Sequence, residues 1–344
     1  MDLGRSRFFF AVVVGSLMVT HASAGEEPGA DEQLLIYELN RARNDPPGWA
    51  IETGLASQDG GDGKLATLQG VLPAPPLAVN EILVGTARYR ANDIATYNSL
   101  DYQSNDGRWP TDVVRDAGYN FPDDLETSTG TRILLADFTG IEGFYFFFDD
   151  PVEILKTLLE SESDPNLYLR KLLLGIDDPT ISEFYPAFRE VGAGYVFDDS
   201  AAYDHYWVLH VGFQQDDVDD LANFVTGVVF NDLNGNDRYD SGEGLSGVQV
   251  SVGADGDVTN AAGGYAIEVE DGSHTVSCSG GSFVGTSAVN VDIEGKNVEV
   301  DFLSGESGGF VDFLFTVPEP GSGLLQAMAL FALLGLRRWR AHSG

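Results

Sequence analysis

The hydrophobic pattern of this chain changes period at an acidic stretch, Gln214-Gln215-Asp216-Asp217-Val218-Asp219-Asp220. Before it, apolar residues recur every three or four positions; after it, they alternate. A period of 3.6 lines one face of a helix and a period of two lines one face of a strand. Two cores of different kinds are therefore expected in succession. An α+β domain should occupy residues 30–215, a linker 216–222 and a small all-β sandwich 223–303, with a second linker over 304–316. A chain of 344 residues is long enough for both cores.

In the first part, Leu35, Leu39 and Ala42 share a helical face, Leu34 lies on its flank, and Asp31 is placed to cap the helix. Asn44-Asp45-Pro46-Pro47 ends it, because proline has no amide hydrogen to continue the ladder. Gly, Asp and Pro crowd residues 52–76, which read as a long loop. Residues 79–98 read as a second helix with Ile82, Leu83, Ala87, Ala91 and Ile94 on one side. A short third covers 111–117, and one or two more cover 152–174, broken at Asp164-Pro165. Residues 190–197 and 206–213 are β-branched and aromatic and read as strands. Helices flanking late strands predict a three-layer α-β-α sandwich. The run Phe144-Tyr145-Phe146-Phe147-Phe148 suits either a core or a ligand-facing patch.

In the second part, short runs around Val225–Phe230, Val248–Val252, Tyr265–Val269, Thr275–Ser277, Val289–Ile293 and Val298–Phe302 are separated by Gly-, Asp- and Asn-rich turns. The first turn carries the most specific chemistry. Asp232, Asn234, Asn236, Asp240 and Glu243 occupy positions one, three, five, nine and twelve of a loop, and Arg238 at seven offers a backbone carbonyl. That is the oxygen-ligand spacing of an EF-hand-type calcium loop. Position six is Asp237 where glycine is usual, and strands replace the flanking helices. An acidic hairpin turn without metal is the alternative.

Asp and Glu number 54 against 19 Lys and Arg, a net charge of -35. Such a field repels phosphate backbones and makes nucleic acid an unsuitable partner. Cys278 is the sole cysteine, so no intramolecular disulfide can form. The sequence contains no Gly-x-Ser-x-Gly elbow, P-loop or His-Glu-x-x-His. His205 and His210, five apart in a strand, face opposite ways and make a poor ligand pair.

Both ends read as targeting segments. Arg5 and Arg7, the apolar residues 8–19 and Ala22-Ser23-Ala24 describe a secretory signal peptide over 1–24. At the other end, Val317-Pro318-Glu319-Pro320 precedes an apolar stretch at 321–336 and then Arg337-Arg338-Trp339-Arg340. An apolar helix closed by cations marks a membrane segment with its basic end in the cytoplasm. The segment over 317–344 resembles a PEP-CTERM sorting tail. That resemblance implies a transient inner-membrane anchor, processing by an exosortase-type enzyme, and a bacterial surface or matrix destination.

The first domain also carries a resemblance. Leu39-Asn40-Arg41-Ala42-Arg43-Asn44-Asp45-Pro46, the helix with Ala87-Arg88 and Ala91-Asn92-Asp93-Ile94, Asp106-Gly107-Arg108, Ala117-Gly118-Tyr119, Arg170-Lys171-Leu172-Leu173-Leu174-Gly175 and Glu190-Val191-Gly192-Ala193-Gly194-Tyr195 follow one another as in bacterial members of the CAP (SCP-like) superfamily. The family's cleft is lined by two histidines and two acidic residues able to hold a divalent metal. Here the two histidine positions fall on Tyr102 and Leu169. The Gly-Glu-Asn motif best fits Gly130-Thr131-Arg132, placing Thr131 where the family has glutamate; another register offers Glu126. Loss of the nitrogen donors argues against a zinc-type site there. The second module resembles Sdr B-type and carboxypeptidase-regulatory-like sandwiches through its Asp-x-Asn-Gly-Asn loop, Gly244-Leu245-Ser246-Gly247-Val248 and Gly263-Gly264-Tyr265. The expectation is a non-catalytic binding domain on a calcium-stiffened stalk, with exopolysaccharide, lipid or a surface protein as partner. The alternative is an extracellular hydrolase of peptides or polysaccharide using carboxylates such as Glu126 and Asp106.

Overall fold

The computed structural model describes residues 26–55, 68–135, 141–160, 168–176, 184–306 and 310–311. The signal-peptide and sorting-tail readings lie outside these residues, as does the break at Asp164-Pro165. Among the described residues, no helix is long and apolar enough to cross a membrane.

Helices and sheets are both present in quantity, so the fold is α+β. The chain opens with α1 (Ala30–Asn44) and α2 (Pro46–Glu52). Gly29 stands at the α1 N-cap and its N–H donates to Glu32 at 2.7 Å, so Asp31 lies inside the first turn rather than at the cap. Asp45 is shared. It closes α1, and its side chain accepts the Gly48 N–H to start α2, where Pro46 sits at the first helical position.

Next come β1 (Ala78–Val79), α3 (Glu81–Tyr97), α4 (Pro110–Asp116) and a hairpin of β2 (Asp124–Glu126) and β3 (Arg132–Leu134). Asn80 caps α3 through the Ile82 and Leu83 amides, and Asn98 ends it in the left-handed conformation. Then follow β4 (Glu142–Phe146), α5 (Pro151–Glu160), α6 (Tyr168–Leu174), β5 (Glu190–Phe197) and β6 (His205–Gly212).

These strands form one sheet in the order β1-β5-β6-β4, parallel only between β1 and β5. Both of its faces are covered by helices. On one, Val191, Ala193, Trp207 and Leu209 join Leu35, Leu39, Leu155, Leu158 and Leu173 in the main core. On the other, Tyr206 and Val208 pack beneath Ala87, Ala91 and Ile94 of α3. The approach of α3 is close enough that a Cβ on Gly192 or Gly194 would come within 2.1 or 2.2 Å of its backbone.

After a 3-10 turn at Val218–Asp220, the chain enters two four-stranded sheets. One contains β7 (Asn223–Phe230), β10 (Gly264–Val269), β13 (Val298–Leu303) and β14 (Phe310–Val311). The other contains β8 (Gln249–Val252), β9 (Asp255–Val258), β11 (Gly272–Ser279) and β12 (Thr286–Ile293). Their inner faces enclose Val225, Val250, Ile267, Val276, Val300 and Phe302.

The sandwich is packed directly against the first module. The two modules share a hydrophobic interface in which Leu34 and Tyr37 of α1 meet Val228, Phe230 and Tyr239. Buried polar contacts cross it as well. Asn40 donates to Glu299 at 3.3 Å, and Asn297 donates to the carbonyls of Pro76 and Arg189 at 2.9 and 2.7 Å. The acidic segment is likewise held. The Glu126 N–H donates to the Asp216 carbonyl at 2.7 Å, and Arg132 pairs with the Asp216 carboxylate at 3.0 Å. A helix with apolar side chains on two faces packs on two sides, and α1 does so here.

Candidate functional site

The sequence-derived cleft positions do not all meet. Tyr102 packs edge-on against Phe144 and Tyr168, with ring centroids 5.3 and 6.3 Å away. Leu169 reaches Gly143, where its Cδ2 would be 3.2 Å from a Cβ. Both therefore surround the start of β4. Thr131 lies instead on the exposed β2–β3 turn, where its hydroxyl and amide engage Thr129 and Thr127. The carboxylate that belongs to the Tyr102–Leu169 neighbourhood is Glu142, the first residue of β4, which the sequence reading did not single out.

Glu142 is fully buried and anchors a polar network between α3 and the sheet. Arg90 donates Nε to Glu142 Oε2 at 2.9 Å and Nη1 to Asp93 at 2.9 Å, and reaches the Asp101 carbonyl and Ser104. From β6, His210 Nε2 meets the same Glu142 oxygen at 2.9 Å, while Nδ1 lies 2.9 Å from the Thr86 hydroxyl. Burial alone would raise the Glu142 carboxyl. The His210 hydrogen bond and the Arg90 charge outweigh it, so the group is held below its ordinary range. Fully buried and bonded to Arg90 and His210, this carboxylate is not exposed to a solvent-borne substrate. The two histidines do point to opposite faces, His210 beneath α3 and His205 toward Tyr195 at 2.7 Å.

The carboxylates named for hydrolysis are each engaged elsewhere. Asp106 accepts from Arg108 and Tyr89, and the Arg108 hydrogen bond, outweighing slight desolvation, draws its carboxyl down to about 2. Glu126 pairs with Arg132 at 3.1 Å. An open cleft of about 480 Å³ does lie between α3 and α4, reaching Thr86, Tyr89, Arg108 and Asp116. Its arginine is already paired with Asp106 and Asp116 at 2.8 and 3.2 Å.

The loop from Asp232 to Glu243 is a tight, mostly exposed turn of the sandwich. Asp237 at position six has φ 61°, the left-handed conformation that position requires, which Asp tolerates better than most residues. Asp240 Oδ2 receives the side-chain amides of Asn234 and Asn236, each at 2.7 Å, so positions three, five and nine converge on one oxygen. Asp232 accepts backbone N–H groups from Asp237, Gly235 and Asn236, led by that of Asp237, which hold its carboxyl below the usual range. Glu243 is buried and closes the loop, accepting from Leu233 and Asp240 N–H at 2.8 and 2.9 Å. Arg238 sends its guanidinium to Glu52 of α2 at 2.6 Å and so ties the loop to the first module. The oxygen donors expected of a calcium loop lie on this one tight turn, and Asp232, Asn234, Asn236, Asp240 and Glu243 would be the side-chain ligands of such an ion, with Arg238 offering its carbonyl, although Asp240 Oδ2 here accepts the two asparagine amides. Among the described residues, no group of three or more His, Cys, Asp or Glu side chains is gathered for a metal, in this loop or elsewhere.

No family model matches the chain, and no curated protein matches it. Among solved structures, an extracellular protein containing an SCP domain from Bacillus anthracis str. Ames aligns over 40% of this chain and 34% of its own, at 19% identity and a TM-score of 0.27. A superposition that partial is likeness of a segment and not of a fold.

Proposed function

We propose that this chain is an exported, surface- or matrix-associated bacterial binding protein. Its CAP-like α-β-α module is non-catalytic and is joined to a calcium-stabilised β-sandwich. The observation that carries this reading is the state of the cleft positions. Tyr102 and Leu169 stand where the resemblance puts histidines, and they pack with Phe144 and Gly143 into an apolar plug. Behind it, Glu142 is occupied by Arg90 and His210. The sequence supplies the delivery. Residues 1–24 direct export, and residues 317–344 hold the chain transiently in the inner membrane until an exosortase-type enzyme acts near Pro318-Glu319-Pro320. The partner is an extracellular polymer, a lipid or a surface protein. Calcium supplies charge neutralisation and cross-linking in the Asp232–Glu243 loop, whose ends belong to the sandwich and whose Arg238 side chain touches the first module.

Thermal unfolding of residues 25–316, after chelation and then with each metal, tests the reading. Calcium at about a hundred times its dissociation constant should stabilise the folded state by about 2.7 kcal/mol. Zinc should leave the midpoint unchanged. Stabilisation by zinc, accompanied by hydrolytic turnover that a change at Glu142 abolishes, would overturn it.

A further inference from the structure

One end of the first sheet meets the sandwich, and the side chains gathered there are unlike those of the buried cleft. On the face opposite α3, β5 and β6 carry a row of rings. Phe197 leans on His205 with centroids 5.2 Å apart, His205 lies parallel to Tyr195 within 10°, and Tyr195 stacks on Trp207 at 4.3 Å. Trp207 is buried and forms the floor, whereas Phe197 is 58% exposed. The 2.7 Å hydrogen bond between Tyr195 Oη and His205 Nδ1 fixes both rings before any partner arrives. Such a preordered platform lowers the entropy lost on binding.

This row opens into a cleft of about 780 Å³ with walls from both modules. Asp31 of α1, Asp149 and Asp150 of the β4–α5 turn, and Asp240 of the sandwich loop all line it, and among the described residues no Lys or Arg does. Asp149 and Asp31 lie near enough to Tyr195 to add to the burial that raises its phenol. A flat ring face beside hydrogen-bond acceptors matches a pyranose, which presents a C–H face and equatorial donors. Charge selects among pyranoses. The carboxylates of Asp31, Asp149 and Asp150 repel uronic acids and anionic headgroups, and the chain's net charge of -35 reinforces this. They attract a protonated amine, which an aromatic face also favours.

We infer that this inter-module cleft binds a cationic amino-sugar polymer. The sugar ring stacks on Tyr195, and Asp31, Asp149 and Asp150 accept hydrogen bonds from its ammonium and hydroxyl groups. The inference rests on the binding role proposed above and specifies the polymer it takes.

Isothermal titration of the full chain with glucosamine oligomers, neutral glucose oligomers and uronic acid oligomers tests it, at mildly acidic pH and fixed calcium. The glucosamine oligomer should bind best, and more weakly as salt rises. Tyr195→Ala and the double variant Asp149→Asn/Asp150→Asn should each weaken it about tenfold. The double variant guards against loss of folding. Both side chains are exposed, and asparagine at 150 still accepts the Val152 N–H that begins α5. Its unfolding midpoint should match that of the parent. Tyr195→Phe, which keeps the stack, should retain most of the affinity. Preference for the neutral or uronic oligomer, indifference to these variants, or no binding of any of the three overturns the inference. The broader binding role fails on a separate measurement, zinc stabilisation with hydrolytic turnover.

Discussion

Arg90 lies fully buried between two carboxylates, and its removal would leave the Glu142 charge in the interior with His210 as its remaining partner. Arg90→Met should therefore destabilise the fold by about 3–5 kcal/mol in a urea titration, and Arg90→Met/Glu142→Gln by less. The same carboxyl sets an acid limb. Its folded value lies below the unfolded one, so its contribution is complete above the unfolded value and is lost as pH falls through the folded value. Glu142→Gln should flatten that limb in unfolding midpoints recorded across acidic pH. Cys278 gives a third residue-scale expectation. Burial in the sandwich core pushes its thiol up to about 12, so a thiol reagent should label it only on unfolding. Sequence reasoning set the cleft's glutamate position at Thr131, where the acid is lost, and missed Glu142, because a glutamate opening an aromatic run gives no local sign of its partners. His210 is 68 residues away from it in the chain and Arg90 is 52.

Helical spacing made α3 legible, and Asn80 and Asn98 marked its ends. Nothing local marked how closely it would lie on the sheet. That closeness depends on Gly192 and Gly194, whose bare Cα atoms admit the α3 backbone. Gly194→Ala forces the helix away and should lower stability by about 3 kcal/mol, read as a shift in the denaturant midpoint. The oxygen spacing of the Asp232–Glu243 loop was also legible, while the conformation at position six was not. Asp237 already occupies the left-handed region at φ 61°, so Asp237→Gly should preserve calcium-induced stabilisation. Asp237→Ile should weaken it, since a β-branched residue is strained there by about 1–2 kcal/mol. The strand β9 was hidden because Asp255-Gly256-Asp257 has turn composition, and pairing with β8 alone makes it a strand.

For the whole molecule, the shared core of Leu34, Tyr37, Val228, Phe230 and Tyr239 predicts joint unfolding of the two modules. Val228→Asp would bury an unpaired charge there and should split a single calorimetric transition into two. Self-repulsion at a net charge of -35 predicts that sodium chloride raises the parent's midpoint until the repulsion is screened. The sequence by itself determined the change from helical to alternating period, the main helices and strands and the oxygen spacing of the loop. Each of these depends on neighbours within a few residues, and local propensity records them. Tertiary structure decided the docking of the sandwich on α1, the pairing of Glu142 with Arg90 and His210, and the meeting of Tyr195 with Asp31, Asp149 and Asp240. Those are contacts between distant segments, fixed only when burial of two helix faces and two sheet faces is satisfied together.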